Sequence, residues 1–213
     1  MFRLIPTFAA VALIGGLTLS ASATTDVAVN GDFETGDFTG WTEFLSPDAS
    51  IVSDDPFEGS FNAKIDNQSP TSGAIMKNSN VGIGTAFANA PVEVKFWARG
   101  SADVGGVHFA ELFSELAGGG TSKTEILGGG GLFGTNPDGT IDVPEWTEFT
   151  FNTTLGNDVG GGVTLQFNAA TGPNPGTVLE VDDVSISVIP EPASLTLLGL
   201  GSLAALGRRR RNR

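Results

Sequence analysis

Val92-Glu93-Val94-Lys95-Phe96-Trp97-Ala98 alternates apolar and polar positions, putting Val92, Val94 and Phe96 on one side of an extended chain and Glu93, Lys95 and Trp97 on the other. A period of two marks a strand with one face buried. Trp146 to Asn152, Gly162 to Asn168 and Val178 to Val188 repeat the pattern, are rich in Val, Ile, Phe and Thr, and are separated by Gly, Pro, Asn and Asp. Many short strands broken by turn residues predict an all-β sandwich or barrel. Only Ala110 to Ala117 is ambiguous: Leu112, Phe113 and Leu116 have helical spacing, yet the same residues permit a strand. Gly118 to Gly120 and Gly128 to Gly131 have no Lys-Ser/Thr context for holding phosphate, and read as flexible connections.

The two ends differ from this body. Met1 to Ala23 opens with Arg3, carries no charge from Leu4 to Leu19, and closes on Ala21-Ser22-Ala23. Small residues at Ala21 and Ala23 suit signal peptidase, and Pro6, Gly15 and Gly16 suit a cleaved segment better than an anchor. At the other end, Ala193 to Gly207 is an uncharged run of about 15 residues, short of the roughly 20 that cross a bilayer comfortably. It is followed by Arg208, Arg209, Arg210, Arg211 and Arg213, which hold the C-terminus on the cytoplasmic side of the inner membrane and leave the preceding residues outside. The expected organisation is a signal peptide at 1–23, a sandwich domain at 24–189 and a sorting segment with a transmembrane helix at 190–213, which would span with bilayer thinning and snorkelling arginines. A body of about 165 residues is enough for one good core.

Charge and composition narrow the function. Of 11 Lys and Arg residues, only Lys64, Lys77, Lys95, Arg99 and Lys123 lie in the body, whereas all 24 acids lie between Asp26 and Glu191, a formal charge of −19 for that stretch. Such a surface repels phosphate backbones, which argues against nucleic acid as a partner, and it favours divalent cations. The absence of cysteine removes disulfides, thiolate catalysis and cysteine zinc sites. His108 is the single histidine, and no serine has a nucleophile-elbow sequence around it, so the chain is read as a non-enzyme. Two carboxylates could in principle hydrolyse a glycoside, which keeps a glycan-degrading enzyme as an outside alternative.

Pro190-Glu191-Pro192, the short apolar segment and the arginine cluster together resemble the PEP-CTERM sorting signal of Gram-negative bacteria. That resemblance implies processing by an exosortase near Pro190-Glu191-Pro192, then release to the cell surface or extracellular space, typically in bacteria that make exopolysaccharide for a biofilm matrix. Within the body, Asn30-Gly31-Asp32-Phe33-Glu34, Gly40-Trp41, Gly59-Ser60-Phe61-Asn62-Ala63-Lys64-Ile65, Trp146 to Phe151 and Val181-Asp182-Asp183-Val184-Ser185-Ile186 occur in an order similar to the galactose-binding-like β-jelly-roll carbohydrate-binding modules. This resemblance implies a single jelly-roll β-sandwich. It also implies a structural calcium tying the first strand to the last, with Asp32, Glu34, Gly59, Asn62 and Asp182 or Asp183 as candidate ligands. Trp41 and Trp146 fall at the family's structural positions and are expected in the core.

Alternation puts Asp182 in phase with Val184, Ile186 and Val188, so a core-facing Asp182 would be a buried carboxylate seeking a cation or donors. The plainer reading of the acids is that Asp182-Asp183 caps a turn and Asp32 makes an Asx-turn. For sugar, Trp97 is the candidate stacking platform, and Gln166 and Asn168, alternating with Val163, Leu165 and Phe167, are candidate amide contacts. Two functions follow: a module fastening the processed protein to extracellular polysaccharide, or a structural adhesion component with calcium and protein contacts but no sugar site.

Overall fold

The computed structural model describes residues 23–44 and 48–190. The expected signal peptide, and Glu191 and Pro192 with the apolar run and arginine cluster behind them, lie outside the described residues. Eleven strands make two antiparallel sheets. The first sheet has the order β3 (Ala49–Val52), β4 (Asn62–Asn67), β11 (Thr177–Val188), β6 (Pro91–Ala102) and β9 (Ile141–Thr154), with the short β1 (Thr25–Asp26) pairing the end of β11. The second has the order β2 (Trp41–Phe44), β5 (Gly73–Val81), β10 (Gly162–Ala170), β7 (Val107–Glu115) and β8 (Thr121–Ile126).

The two sheets are held face to face by side chains on alternate positions. Val92, Val94, Phe96 and Ala98 of β6 are all buried, and Phe96 meets Phe167 of β10 edge to face at 4.8 Å. Phe149 adds a stacked contact to Phe96 at 5.3 Å, and Trp41 packs against Phe33 at 5.1 Å and Phe167 at 6.0 Å. Each large side chain so buried is worth about 1.5–3 kcal/mol relative to exposure.

The ambiguous segment is a strand. In β7, His108, Ala110, Leu112 and Ser114 point inward and are buried, while Phe109, Glu111 and Phe113 alternate outward. Pairing with β10 on one side and β8 on the other supplies the hydrogen bonds a helix would have made internally. Gly118 to Gly120 form the turn into β8, and Gly128 and Gly129 belong to a single 3-10 turn at Leu127–Gly129, with Gly130 and Gly131 just after it.

One of the inward residues of β7 is titratable. His108 is wholly buried, its Nε2 lies 2.9 Å from the Val178 carbonyl, its Nδ1 has no partner, and burial pushes the imidazole down to about 4. The folded pKa lies below the ordinary value of 6.5, so between those pH values the unfolded chain binds more protons. The stability supplied by neutral His108 is therefore complete above about pH 6.5 and is lost as pH falls through 4. A shift of this size corresponds to up to about 3 kcal/mol. Urea denaturation at pH 7.5 and 4.5 should show this loss in the wild type relative to His108→Gln, and equal pH slopes for the two proteins would refute it.

Candidate functional site

Three regions gather the residues singled out by the sequence. The first is a cavity of about 280 Å³ lined by Asp32, Glu34, Glu58, Gly59, Asp182 and Asp183. It forms where three segments meet: the loop before β2, the loop from 53 to 61, and a bulge in β11. The bulge lies between Asp182 and Ser185, and Asp183 sits in the left-handed region at φ 47. Because the bulge reverses the strand's phase, Asp182 pairs with Trp97 and points to the outer side of its sheet. It is not on the core face with Val184, as simple alternation implied. Asp182 is nonetheless only 1% exposed, because the 53–61 loop covers it.

Backbone N–H groups hold these carboxylates. Asp182 Oδ2 accepts from Phe57 N at 2.9 Å and Glu58 N at 3.2 Å, and its Oδ1 accepts from Asp183 N at 2.8 Å. Burial still pushes its carboxyl up to about 6 against those bonds. Glu34 Oε1 accepts from Ser60 N at 2.7 Å and Phe61 N at 2.9 Å, which holds its carboxyl below the usual range. Asp32 makes the Asx-type contact, its Oδ1 accepting from Glu34 N at 3.3 Å. Gly59 has φ 69, and a Cβ there would stand 2.4 Å from Glu34 Oε1. Asn62 does not line the cavity: it is buried in β4, where its Nδ2 donates to Glu180 Oε2 at 3.2 Å.

The hard oxygen donors fit calcium, and neither lysine nor arginine lines the cavity. Among the described residues no three acidic or histidine side chains stand close enough together to hold an ion. An ion bound here would draw on the Glu34 and Asp182 carboxylates together with backbone carbonyls and water.

The second region is the outer face of the first sheet. Trp97 points outward beside Glu93 and Lys95, but Phe57 from the 53–61 loop stacks on it at 3.9 Å and 13°. One ring face is thus covered by the protein. Trp146 lies on this outer side too, half-buried, and not in the core with Trp41: its Nε1 donates to the Asp55 carbonyl at 3.1 Å, and the Arg99 guanidinium sits 4.7 Å from its ring. The cause is that β9 carries extra residues at 144–146 opposite Arg99, which swing Trp146 out of the core register. Arg99 also reaches Asp55 at 2.6 Å and Glu180 at 2.7 Å. Together these residues seat the loop that closes the acidic cavity.

The third region is the outer face of the second sheet, and it carries Gln166 and Asn168. They are not brought together with Trp97, because β10 and β6 belong to different sheets and the three side chains leave the sandwich on opposite sides. Strand register places Thr42, Lys77, Gln166, Glu111 and Ile126 in one row across the face. The next row is Phe44, Ile75, Asn168 and Phe109, and on the other side lie Thr164, Phe113 and Thr124. On the central strand Thr164, Gln166 and Asn168 are 3%, 5% and 8% exposed, forming a floor, while Phe44 at 51% stands clear at the margin. Gln166 Nε2 donates to Glu111 Oε2 at 2.7 Å, and Asn168 Oδ1 is buried without a partner.

Phe44, Phe109, Phe113, Lys77 and Glu111 were not anticipated from the sequence. For Phe109, Glu111 and Phe113 the signal was the strict alternation of Val107 to Glu115, masked because His108, Ala110 and Ser114 occupy inward positions and aromatics outward ones.

The PEP-CTERM protein-sorting motif matches residues 188–211. No curated protein sequence matches the chain. Among solved structures, the CBM22-1 xylan-binding domain from Paenibacillus barcinonensis Xyn10C is 12% identical, with 80% of this chain and 97% of that chain covered and a TM-score of 0.54. A family 16 carbohydrate-binding module is 16% identical over 75% of this chain and 98% of its own, with a TM-score of 0.51. The C-terminal family 22 module of Clostridium thermocellum Xyn10B is 12% identical over 78% and 92%, at 0.50. At these identities the likeness is one of fold.

Proposed function

We propose that this chain is an exported, exosortase-processed surface protein whose sandwich binds a glycan across the outer face of the β2-β5-β10-β7-β8 sheet. The sorting motif supports the first half of this reading. The second half rests on one observation: a polar row of Lys77, Gln166 and Glu111 is flanked by the exposed or half-buried rings of Phe44, Phe109 and Phe113. Pyranose rings present apolar C–H faces that pack on aromatic side chains, while their hydroxyls need donors and acceptors fixed at the same spacing. Asn168 Oδ1, in the floor beside Gly73, has no protein partner. The single histidine lies buried between the sheets, uncharged at neutral pH, and does not reach this face.

A structural calcium in the acidic cavity belongs to the same proposal. It would join the first loop, the 53–61 loop and β11, and would stiffen the module without touching the glycan.

Titration calorimetry against polysaccharide from the producing cells tests the glycan site. Phe109→Ala and Phe113→Ala should each weaken binding about tenfold, the usual cost of truncating an aromatic anchor. Trp97→Ala should leave affinity unchanged. Absence of binding by the wild type to any glycan tested would favour the structural adhesion reading instead.

A further inference from the structure

We propose that the glycan taken by this face carries isolated acidic sugars, and that Lys77 is the residue that selects them. The inference rests on the glycan-binding reading above. Five basic residues lie in the described body, and four are paired: Lys64 with Asp66 at 3.7 Å, Lys95 with Glu148 at 2.7 Å, Arg99 with Asp55 and Glu180, and Lys123 with Glu125 at 2.7 Å. Among the described residues Lys77 alone has no carboxylate partner, in a chain where acids outnumber bases by 24 to 11.

Among the described residues Lys77 also has no oxygen to donate to. Its ammonium lies 4.7 Å from the centre of the Phe44 ring and 5.7 Å from that of Phe113, on the face already argued to stack sugars. Such cation–π contacts steady a charge but leave the three N–H donors free. The ionisable group facing it in the same row is Glu111, set beyond Gln166, with its Oε2 taken by the Gln166 amide. Burial, acting against the charge of Lys77, holds the Glu111 carboxyl above its ordinary range. A sugar carboxylate seated between Phe44 and Phe113 would give Lys77 the partner that every other cation of the body already has.

The remaining charge sets an upper limit on how acidic the glycan can be. The acidic body repels a dense polyanion, but screening confines that repulsion to about 8 Å at physiological salt. One acidic sugar spaced among neutral ones meets Lys77 without bringing further carboxylates against the protein. A continuous polyuronate has no such spacing.

The test uses the mature protein and the polysaccharide of the producing cells, in its native form and after chemical reduction of its carboxyl groups to alcohols. Wild type should bind the native form about tenfold more tightly, with the preference shrinking as salt rises, and Lys77→Gln should bind the two forms equally. Unchanged melting of Lys77→Gln confirms that the fold is intact. Equal binding of both forms by wild type, or a preference that survives in Lys77→Gln, overturns the role of Lys77 while leaving the glycan site standing. Polygalacturonate bound as tightly as the native polymer overturns the requirement for isolated acids. If wild type binds neither form, the glycan-binding reading itself fails, and this inference with it.

Discussion

Gly31→Ala is expected to destabilise the sandwich by about 3 kcal/mol or more, at the upper end of what overpacking usually costs. A Cβ at Gly31 would stand 1.9 Å from the Val184 carbonyl oxygen and 2.9 Å from its carbon. Both are backbone atoms in the middle of β11, so no side-chain rotation relieves the clash. Moving the loop away would break the bond from Val184 N to the Gly31 carbonyl, now 2.9 Å, and displace Asp32 and Glu34 from the acidic cavity. Gly118→Ala is the control, since a Cβ there meets nothing within 4 Å. Urea denaturation of both variants should leave Gly118→Ala near wild type. A Gly31→Ala variant within 1 kcal/mol of wild type would show that the loop can be repositioned cheaply, and that it does not anchor the cavity.

The glycine is informative because it marks where local sequence and tertiary contact agree. Asn30-Gly31-Asp32 reads as a turn, and the structure uses the missing side chain for close approach to β11 rather than for a left-handed conformation. The strands themselves were legible wherever large apolar residues occupy the inward positions, as in β6. In β7 they do not, and the outward Phe113 fell with Leu112 and Leu116 at the spacing of a helical stripe. Alternation also failed at Asp182. A strand's period of two holds only while the ladder is regular, and the bulge with Asp183 at φ 47 shifts the phase by one. No residue type at that point announces a bulge, since Asp-Asp is compatible with both registers.

Trp97 illustrates a further limit. Its outward direction follows from the neighbouring residues, but its accessibility depends on Phe57, forty positions earlier, which lies in a loop with no periodicity of its own. The face proposed for the glycan was hidden for a related reason. Its rows run across β2, β5, β10 and β7, and exist only once strand order and register are known. Gln166 and Asn168 were recognisable as outward polar residues, whereas their aromatic neighbours come from two other strands, β2 and β7.

Adding calcium to chelator-treated protein is expected to raise stability by about 3–4 kcal/mol when the ion is 100 to 1,000 times its dissociation constant. For a domain of this size that is on the order of 5–15 °C in melting temperature. The three cavity segments are brought together only in the folded chain, so an ion bound there stabilises the native state alone. Glu34→Gln is the discriminating variant. Glu34 Oε1 already accepts both Ser60 N and Phe61 N, so glutamine can keep those bonds through its carbonyl while removing the charge. Its melting temperature in chelator should stay close to that of wild type, and most of the calcium response should vanish. Magnesium should not substitute, because its small octahedral shell does not suit a site completed by backbone carbonyls at varied positions. Identical melting of the wild type in calcium and in chelator would mean that the backbone N–H groups on Asp182 and Glu34 are sufficient to hold the cradle, and that the acids serve as loop clamps without an ion.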